Sequence, residues 1–474
     1  MRMRPRRVAL PYAAFLTVIV LIAFAARPAL QERPACLTSD ELARALADAI
    51  RAARFGDTED FGQNDGRPVA ELPSLDLSVV AFPRGCAPAY ANVLLSRDMP
   101  DGHRARIDPV SFDVTDVRWV RDRVDPVTGE SILWQKGADW SGLALQDLVE
   151  GRTGARFVVP YPASSVKVLP AIGVLRLVDQ GTVSLDDPLE HDGRTESVMT
   201  WLDEMITVSS NEATFALTRL LHDHGEIEAE EPAGQEALPC TERTERRETR
   251  NAVHDALDGV GLVTLRYGRT RPCDGSFFNS ARSGVGHHHM TSWDAVRLLW
   301  LLDPAAPTPT WNVRGRPVSA GFLSDASRRL LVSRLLGQQA LHEALSTTVT
   351  CGKPGRVEGI PARLPDRWFT SPAEGDYSVR IGELRMSNDA RPCNSAADVT
   401  FAHKTGLTEN YGSNFGIVRG LEATSARRHY LIGLFTNLGS RYARDCETGG
   451  LCYTQRIPAL GKAIDEFLTA KLEP

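Results

Sequence analysis

The sequence predicts a mixed α/β sandwich, and three observations support this prediction. Residues 75–82 read as an apolar strand, with 92–95 as its partner. A series of helical segments follows. Two further strands, near 412–419 and 428–436, are joined by a short turn and therefore pair antiparallel. We expect the early and late strands to share one sheet, with helices around it.

Length and composition indicate one large globular domain or two to three ordinary ones. The chain has 474 residues, of which 42% are hydrophobic and 24% charged, close to the globular average. This composition excludes a disordered, collagen-like or polytopic membrane protein. The formal net charge of −6 provides no basic field, so we expect no nucleic-acid partner. We also expect a monomer.

The other elements are predicted from apolar periodicity and capping residues. Residues 38–54 begin with a polar cap and continue with an apolar face from Leu42 to Ile50. Further helices are predicted at about 164–179, 199–207, 213–221, 251–260, 291–302, 326–346 and 455–471, and a short strand at 157–159. Three polar segments, near 97–130, 222–250 and 371–399, are predicted insertions in a domain that spans 31–474.

The N-terminus, residues 1–30, is predicted to be a signal peptide or a membrane anchor. It begins with MRMRPRR, and an apolar run follows from Val8 to Ala26. That run is long for a signal peptide and just long enough to span a bilayer. Both alternatives export the rest of the chain, which places it outside the cytoplasm, either secreted or anchored at the outer face of the cytoplasmic membrane.

Cysteine usage agrees with export. The eight cysteines include no Cys-x-x-Cys pair, which argues against zinc ribbons and thioredoxin-like redox sites. Their spacing suits disulfides across loops of an exported protein. The sequence alone leaves the connectivity open. Pairing in chain order is the simplest arrangement: 36–86, 240–273, 351–393 and 446–452.

The first chemical motif is Ser164-Ser165-Val166-Lys167, which opens a helix after a proline-rich turn. A serine there meets unsatisfied N–H groups and the positive end of the helix dipole. A lysine three residues on lies on the same face. If burial lowers its pKa, its neutral amine removes the serine proton. Only six lysines occur in the chain, so a lysine in a motif is informative.

Two further motifs follow. Ser209-Ser210-Asn211 precedes a helix, so its serine and amide can face one cavity. Lys404-Thr405-Gly406 is predicted on a strand, where the glycine permits close approach of a ligand backbone. Each motif alone is explained by a capping serine or a surface lysine. The three together, in this order, predict a functional site.

The three motifs resemble those of the class A β-lactamases and penicillin-binding proteins. The similarity extends to 175–181, 205–209 and 359–368, and covers about 155–474. It implies a β-lactamase/transpeptidase-like sandwich, with an antiparallel sheet flanked by helices and an all-helical subdomain. It also implies that neither a metal nor an organic cofactor is needed.

The resemblance assigns a role to each motif residue. Ser164 would be the acylated nucleophile, Lys167 its base, and Ser209 the donor of a proton to the leaving nitrogen. The oxyanion hole would be formed by the N–H groups of Ser164 and Leu407. The implied substrate-binding residues are Asn211, Lys404, Thr405, Gly406 and Leu407.

One departure from the family concerns deacylation. Class A enzymes activate water with a glutamate on a loop that corresponds to about 266–285, and this stretch contains no glutamate. The family spacing puts Gly275 at that position, and Asn279 matches the asparagine of the loop. Asp274 is the nearest carboxylate, and we interpret it as a turn residue. Without a base the acyl-enzyme should persist.

Other departures are smaller. Ser210 stands where class A enzymes carry aspartate, and Phe415 where many carry a carboxylate-binding arginine. Pro170 interrupts the nucleophile helix, where we expect it to remove one hydrogen bond. The run at 287–289 consists of three histidines, which we interpret as a turn before a helix, not as a metal site.

The resemblance therefore predicts an exported serine hydrolase that acts on β-lactams through a Ser164 acyl-enzyme. One alternative is a D-alanyl-D-alanine peptidase of the penicillin-binding type with slow deacylation. A second alternative is a non-catalytic cell-wall binding protein on the same fold. The expected partner is a β-lactam or a D-alanyl peptide.

Overall fold

The structure is a computed structural model. It describes residues 36–125, 127–230, 234–235, 237–242, 247–277, 284–319, 321–369, 379–381, 384–386, 388–421, 427–444, 446 and 450–473. The chain divides into Met1–Cys36, of which Cys36 is described, and a compact unit Leu37–Pro474. The predicted leader at 1–30 and its apolar run at 8–26 lie outside the described residues. Among the residues that are described, none of the helices is long and apolar enough to cross a bilayer.

A seven-stranded sheet forms the centre of the compact unit. Its strands are β1 (Leu75–Ala81), β2 (Ala89–Ser96), β3 (Met99–Arg104), β4 (Ala362–Arg363), β5 (Val399–Leu407), β6 (Gly412–Gly420) and β7 (His429–Thr436). Their order is β4-β5-β6-β7-β1-β2-β3. All neighbours pair antiparallel except β4 and β5, which are parallel. Because β7 pairs with β1, the prediction that early and late strands share one sheet is confirmed.

Helices and short strand pairs surround the sheet. The α-helices in the described ranges are α1 (Ser39–Ala53), α2 (Val168–Asp179), α3 (Val198–Thr207), α4 (Asn211–Asp223), α5 (Ala252–Gly259), α6 (Ser292–Leu302), α7 (Asp325–Arg329), α8 (Arg391–Ser395) and α9 (Arg456–Leu472). The two-stranded pairs are Glu59–Asp60 with Arg67–Pro68, Val117–Val120 with Ala155–Val158, Pro188–His191 with Arg194–Ser197, Ile227–Glu230 with Arg247–Asn251, Asn312–Val313 with Arg316–Pro317, and Val379–Ile381 with Leu384–Met386.

Different helices cover the two faces of the sheet. Val79 and Val80 are adjacent on β1 and both fully buried, and successive side chains of a strand point to opposite faces. Val79 packs in one cluster with Leu46 of α1 and Leu468 of α9. Val80 packs in another with α6 and with the helical group α2 to α5. The predicted mixed α/β architecture, a helix-flanked sheet with a helical subdomain, is confirmed.

The nucleophile helix differs from its prediction at the N-terminus. Ala163–Lys167 is a 3-10 helix, and the regular α-helix begins at Val168. This start places Pro170 in the first turn of α2, directly after the 3-10 helix. Proline has no N–H to donate, and the expected loss of one hydrogen bond there stays a prediction.

The helix predicted at 326–346 is wrong in its second half. After α7 the chain continues as a π-helix, Leu330–Leu335, and a 3-10 turn, Leu336–Gln338, and the helical path ends there. The side chain of Gln339 donates to the Ile206 carbonyl at 2.7 Å and accepts from the Leu341 N–H at 3.0 Å. The first bond is to α3 and the second is local, and together they hold the chain outside a continuing helix.

The predicted insertions contain some regular structure. Segment 97–130 holds β3 and the strand Val117–Val120. Segment 222–250 includes most of an antiparallel hairpin. The strands Val379–Ile381 and Leu384–Met386 and helix α8 lie in segment 371–399.

The disulfides follow chain order. The pairs Cys240–Cys273, Cys351–Cys393 and Cys446–Cys452 are present as predicted. Cys36 and Cys86 are each disulfide-bonded as well.

Candidate active site

The predicted nucleophile lies in a strained turn at the start of a helix. The chain runs from the strand Ala155–Val158 through a proline-rich turn to Ala163, whose φ of 49° is left-handed. Ser164 follows in the first turn of the 3-10 helix, where N–H groups lack helical partners. It is half-buried, and its hydroxyl makes no hydrogen bond to any described residue. A positioned, unengaged hydroxyl at a helix N-terminus suits a nucleophile.

Gly406 brings strand β5 against this turn. A Cβ at this position would lie 2.5 Å from the Pro162 carbonyl oxygen and 2.8 Å from the Ser164 nitrogen. Both are backbone atoms that cannot move aside. Glycine is thus needed here for the approach of β5 to the nucleophile, whereas the predicted close approach of a ligand backbone stays a prediction.

Lys167 is buried and directed at the second motif. Its Nζ lies 2.5 Å from the Ser209 carbonyl oxygen, 3.2 Å from that of Ser210 and 2.7 Å from Asn211 Oδ1. It also lies 3.4 Å from Ser209 Oγ. Lys167 makes no hydrogen bond to Ser164, and both residues are described. Burial lowers the pKa of Lys167 to about 7, so a large fraction is neutral near neutral pH.

Lys404 joins the third motif to the second. Its Nζ donates to Ser209 Oγ at 2.8 Å and to the Thr405 carbonyl at 2.9 Å. Lys404 is fully buried, and burial together with the Lys167 ammonium holds its pKa well below the ordinary value. Ser209 itself has a left-handed φ of 65°. A non-glycine residue is held in that conformation only where its surroundings enforce it.

The register of β5 orients the Leu407 N–H. Thr408 N donates to the Tyr411 carbonyl across the hairpin turn at 2.9 Å. Opposed residues in an antiparallel pair alternate between bonded and non-bonded. Leu407 opposite Gly412 is therefore a non-bonded pair, and its N–H points away from β6. The Thr405 carbonyl, which accepts from Lys404, lies on that same side.

Thr405 is buried beside an aromatic hydroxyl that sequence reasoning missed. The Tyr453 hydroxyl donates to the Gly406 carbonyl at 3.1 Å and also hydrogen-bonds to the Thr405 side chain. Tyr453 precedes α9, far from every motif in sequence. No motif or spacing signals it.

The substituted positions have structural roles. Ser210 is the N-cap of α4 and accepts from the Ala213 N–H at 3.1 Å, a role that serine and aspartate fill equally well. Phe415 lies opposite Lys404 in the sheet, fully buried, and packs against Phe435. The sheet therefore presents no cation at the position where many class A enzymes carry arginine.

No described carboxylate contributes to the pKa of Lys167, which burial alone lowers. Asp274 accepts hydrogen bonds from Ser276 N at 2.9 Å and Ser276 Oγ at 2.7 Å. Its carboxylate is thus engaged in a local turn, as predicted for a turn residue. Asn279 lies outside the described residues.

The histidines of the run at 287–289 contact different partners. His287 contacts Arg269, and buried His288 bonds to the Gly268 carbonyl at 3.0 Å. Thr291 then caps α6. Among the described residues, one group has the spacing of metal ligands, Cys240, Cys273 and Asp274. Its two sulfurs form a disulfide, which removes the thiolates that a metal would need.

Solved structures of the resembled superfamily are similar to this chain. A β-lactamase from Sphaerobacter thermophilus is 14% identical with a TM-score of 0.37, over 90% of this chain and 97% of that one. One from Burkholderia vietnamiensis is 15% identical with a TM-score of 0.39, over 90% and 96%. A mutant of PBP-A, solved as an acyl-enzyme complex with penicillin G, is 11% identical with a TM-score of 0.43, over 92% and 100%.

No activity is inferred from these structures. The sequence itself matches no family model and no curated protein.

Proposed function

We propose that this protein is an exported serine hydrolase that reacts with β-lactams through an acyl-enzyme on Ser164. One observation supports this most strongly: Lys167 and Lys404, 237 positions apart in the sequence, both contact Ser209 Oγ, at 3.4 Å and 2.8 Å. Two buried lysines that converge on one serine are costly unless they act. Ser164 lies on the same turn of helix as Lys167.

Acylation begins with proton removal from Ser164. A neutral Lys167 amine has two hydrogens, which serve its two shortest contacts, the Ser209 carbonyl and Asn211 Oδ1. Its lone pair remains to accept the Ser164 proton. The Ser164 oxygen then bonds to the lactam carbonyl carbon as the C–N bond breaks. Lys167 and Ser164 are not hydrogen-bonded in this structure. Catalytic contacts often tighten only when substrate is bound, so we expect this bond to form in the complex.

Ser209 delivers a proton to the leaving nitrogen and recovers one from Lys167, so the protons balance. The Lys404 ammonium beside Ser209 Oγ favours loss of that proton, because a cation stabilises developing negative charge. The N–H groups of Ser164 and Leu407 stabilise the oxyanion. Lys404 and Thr405 bind the substrate carboxylate. In this proposal Asn211 holds both Lys167 and the substrate amide.

A second candidate function is that of a penicillin-binding D-alanyl-D-alanine peptidase. It is favoured by the lack, among the described residues, of a carboxylate that acts on Lys167. Water then has no strong base, and the acyl-enzyme made from a β-lactam decays slowly. The two candidates share the acylation step and differ in deacylation.

Mass spectrometry of the intact protein incubated with benzylpenicillin tests the shared step. We expect the mass of one penicillin to be added, with the adduct on the peptide that contains Ser164. The Ser164→Ala variant should gain no mass. Absence of the adduct on the wild type, or an equal adduct on the variant, would leave the non-catalytic binding protein as the better account.

A further inference from the structure

Glu343 is a carboxylate beside the predicted substrate-binding strand that none of the motifs includes. It lies in the irregular segment after the 3-10 turn Leu336–Gln338 and is half-buried. Its carboxylate accepts no hydrogen bond from the described residues and forms no direct ion pair with them. A partly buried, unpaired carboxylate costs free energy, which function commonly explains.

The segment contacts the sheet on both sides of Glu343, at β5 on one side and at β6 on the other. The His342 ring packs against His403 at a centroid distance of 4.4 Å. Leu345 N donates to Asn414 Oδ1 at 3.2 Å, and Asn414 Nδ2 donates to the Lys404 carbonyl at 3.1 Å. These contacts place the segment against the sheet at His403 and Asn414, and Glu343 interacts electrostatically with Lys404, the residue proposed to bind the substrate carboxylate.

Two lysines and a tyrosine interact electrostatically with the Glu343 carboxylate. Lys404 comes from β5, Lys353 from the loop after the 3-10 turn Thr348–Thr350, and Tyr453 from the segment before α9. Burial raises the pKa of Glu343 to about 7, and the two ammonium groups oppose this rise.

Two further groups next to Glu343 are titratable histidines. Burial holds the pKa values of His342 and His403 low, so both rings are neutral above pH 6. The pKa of Glu343 is about 7, so its charge varies near Lys404 around neutral pH, as does that of Lys167.

We infer that Glu343 is a specificity-determining residue: in its ionised form it weakens the binding of a substrate carboxylate at Lys404 and Thr405. The site then favours substrates that carry a neutral group at this position. Two carboxylates beside one ammonium repel each other, most strongly where water is partly excluded. Phe415 supplies no second cation to offset the repulsion. The inference rests on the proposed function, because it takes Lys404 and Thr405 as the carboxylate subsite.

The experiment compares a cephalosporin with its neutral carboxamide at pH 6 and pH 8. Taking the ratio of the two Ser164 acylation rates removes the effect of Lys167 titration, because that titration changes the two rates alike. In the wild type we expect the ratio of carboxylate to carboxamide to fall about tenfold from pH 6 to pH 8. Glu343→Gln should abolish most of the fall. Glu358→Gln is the matched control, because this exposed glutamate pairs with Lys462 and should leave the ratio as in the wild type.

Binding without acylation separates this inference from the proposed function. Calorimetry at pH 8 compares Ser164→Ala with Ser164→Ala/Glu343→Gln. We expect the second variant to bind the carboxylate probe about tenfold more tightly and the carboxamide equally. Equal affinities for the carboxylate overturn the inference. If the difference is found while the wild type is never acylated, the proposed function fails and the inference holds. No binding of either probe overturns both.

Discussion

The Lys404 ammonium lies 2.8 Å from the Ser209 hydroxyl, and this contact joins residues 195 positions apart in the sequence. Lys167 of the first motif lies near the same hydroxyl. Ser209 is thus the point at which the three motifs meet, and its left-handed backbone holds it there.

Replacing Lys404 by methionine should slow the acylation of Ser164 by a β-lactam about 100-fold. The substitution keeps the volume but removes the charge that polarises Ser209 and attracts the substrate carboxylate. The rate is measured by stopped-flow or by intact mass. Lys462→Met, which removes an exposed lysine paired with Glu358, is the control. A rate equal to that of the control would contradict the role of Lys404.

The acylation rate should rise with pH through about 7. The pKa of Lys167 is lowered to about 7, so the residue is an ammonium below this pH and a proton-accepting amine above it. At higher pH the rate should fall again, because Lys404 loses its charge below its ordinary pKa. The pH profile of the acylation rate is measured with a neutral carboxamide probe, because the charge on Glu343 does not repel an uncharged group. A rate that stays constant between pH 6 and pH 8 would argue against Lys167 as the base.

Gly406→Ala should abolish acylation while the protein still folds. The new methyl group would meet the backbone of Pro162 and Ser164 at 2.5 and 2.8 Å, so β5 must move away from the nucleophile. Gly259→Ala is the matched control, because its methyl group meets nothing within 4 Å. Circular dichroism confirms folding of both variants. Normal acylation in Gly406→Ala would show that this close approach is not needed.

Asp274→Asn should leave β-lactam turnover unchanged. The asparagine keeps the oxygen that accepts from Ser276 N and Oγ, and thus the turn. A large loss of steady-state turnover, with acylation intact, would instead make Asp274 the base for deacylation.

The motifs made the centre of the site predictable because chemistry restricts both residue type and spacing. Ser164 and Lys167 share a helical turn, and Lys404 and Gly406 share a strand, so local geometry placed each pair. The contact of Lys404 with Ser209 joins distant parts of the chain, and local geometry does not predict it.

Glu343 and Tyr453 were not predictable in this way. Glu343 lies where a helix was expected, and that helix ends early because Gln339 bonds to Ile206 and Leu341. Tyr453 reaches Gly406 and Thr405 through tertiary packing alone. Periodicity and motif spacing contain no information about such contacts.

The most direct test of the account is a progress curve of chromogenic cephalosporin cleavage, with wild-type protein and Ser164→Ala side by side. We predict a burst of about one equivalent from the wild type, followed by a much slower phase, since acylation proceeds and water lacks a strong base. The variant should show no burst. Equal traces from the two proteins would contradict the Ser164 acyl-enzyme, and sustained turnover at the burst rate would contradict slow deacylation.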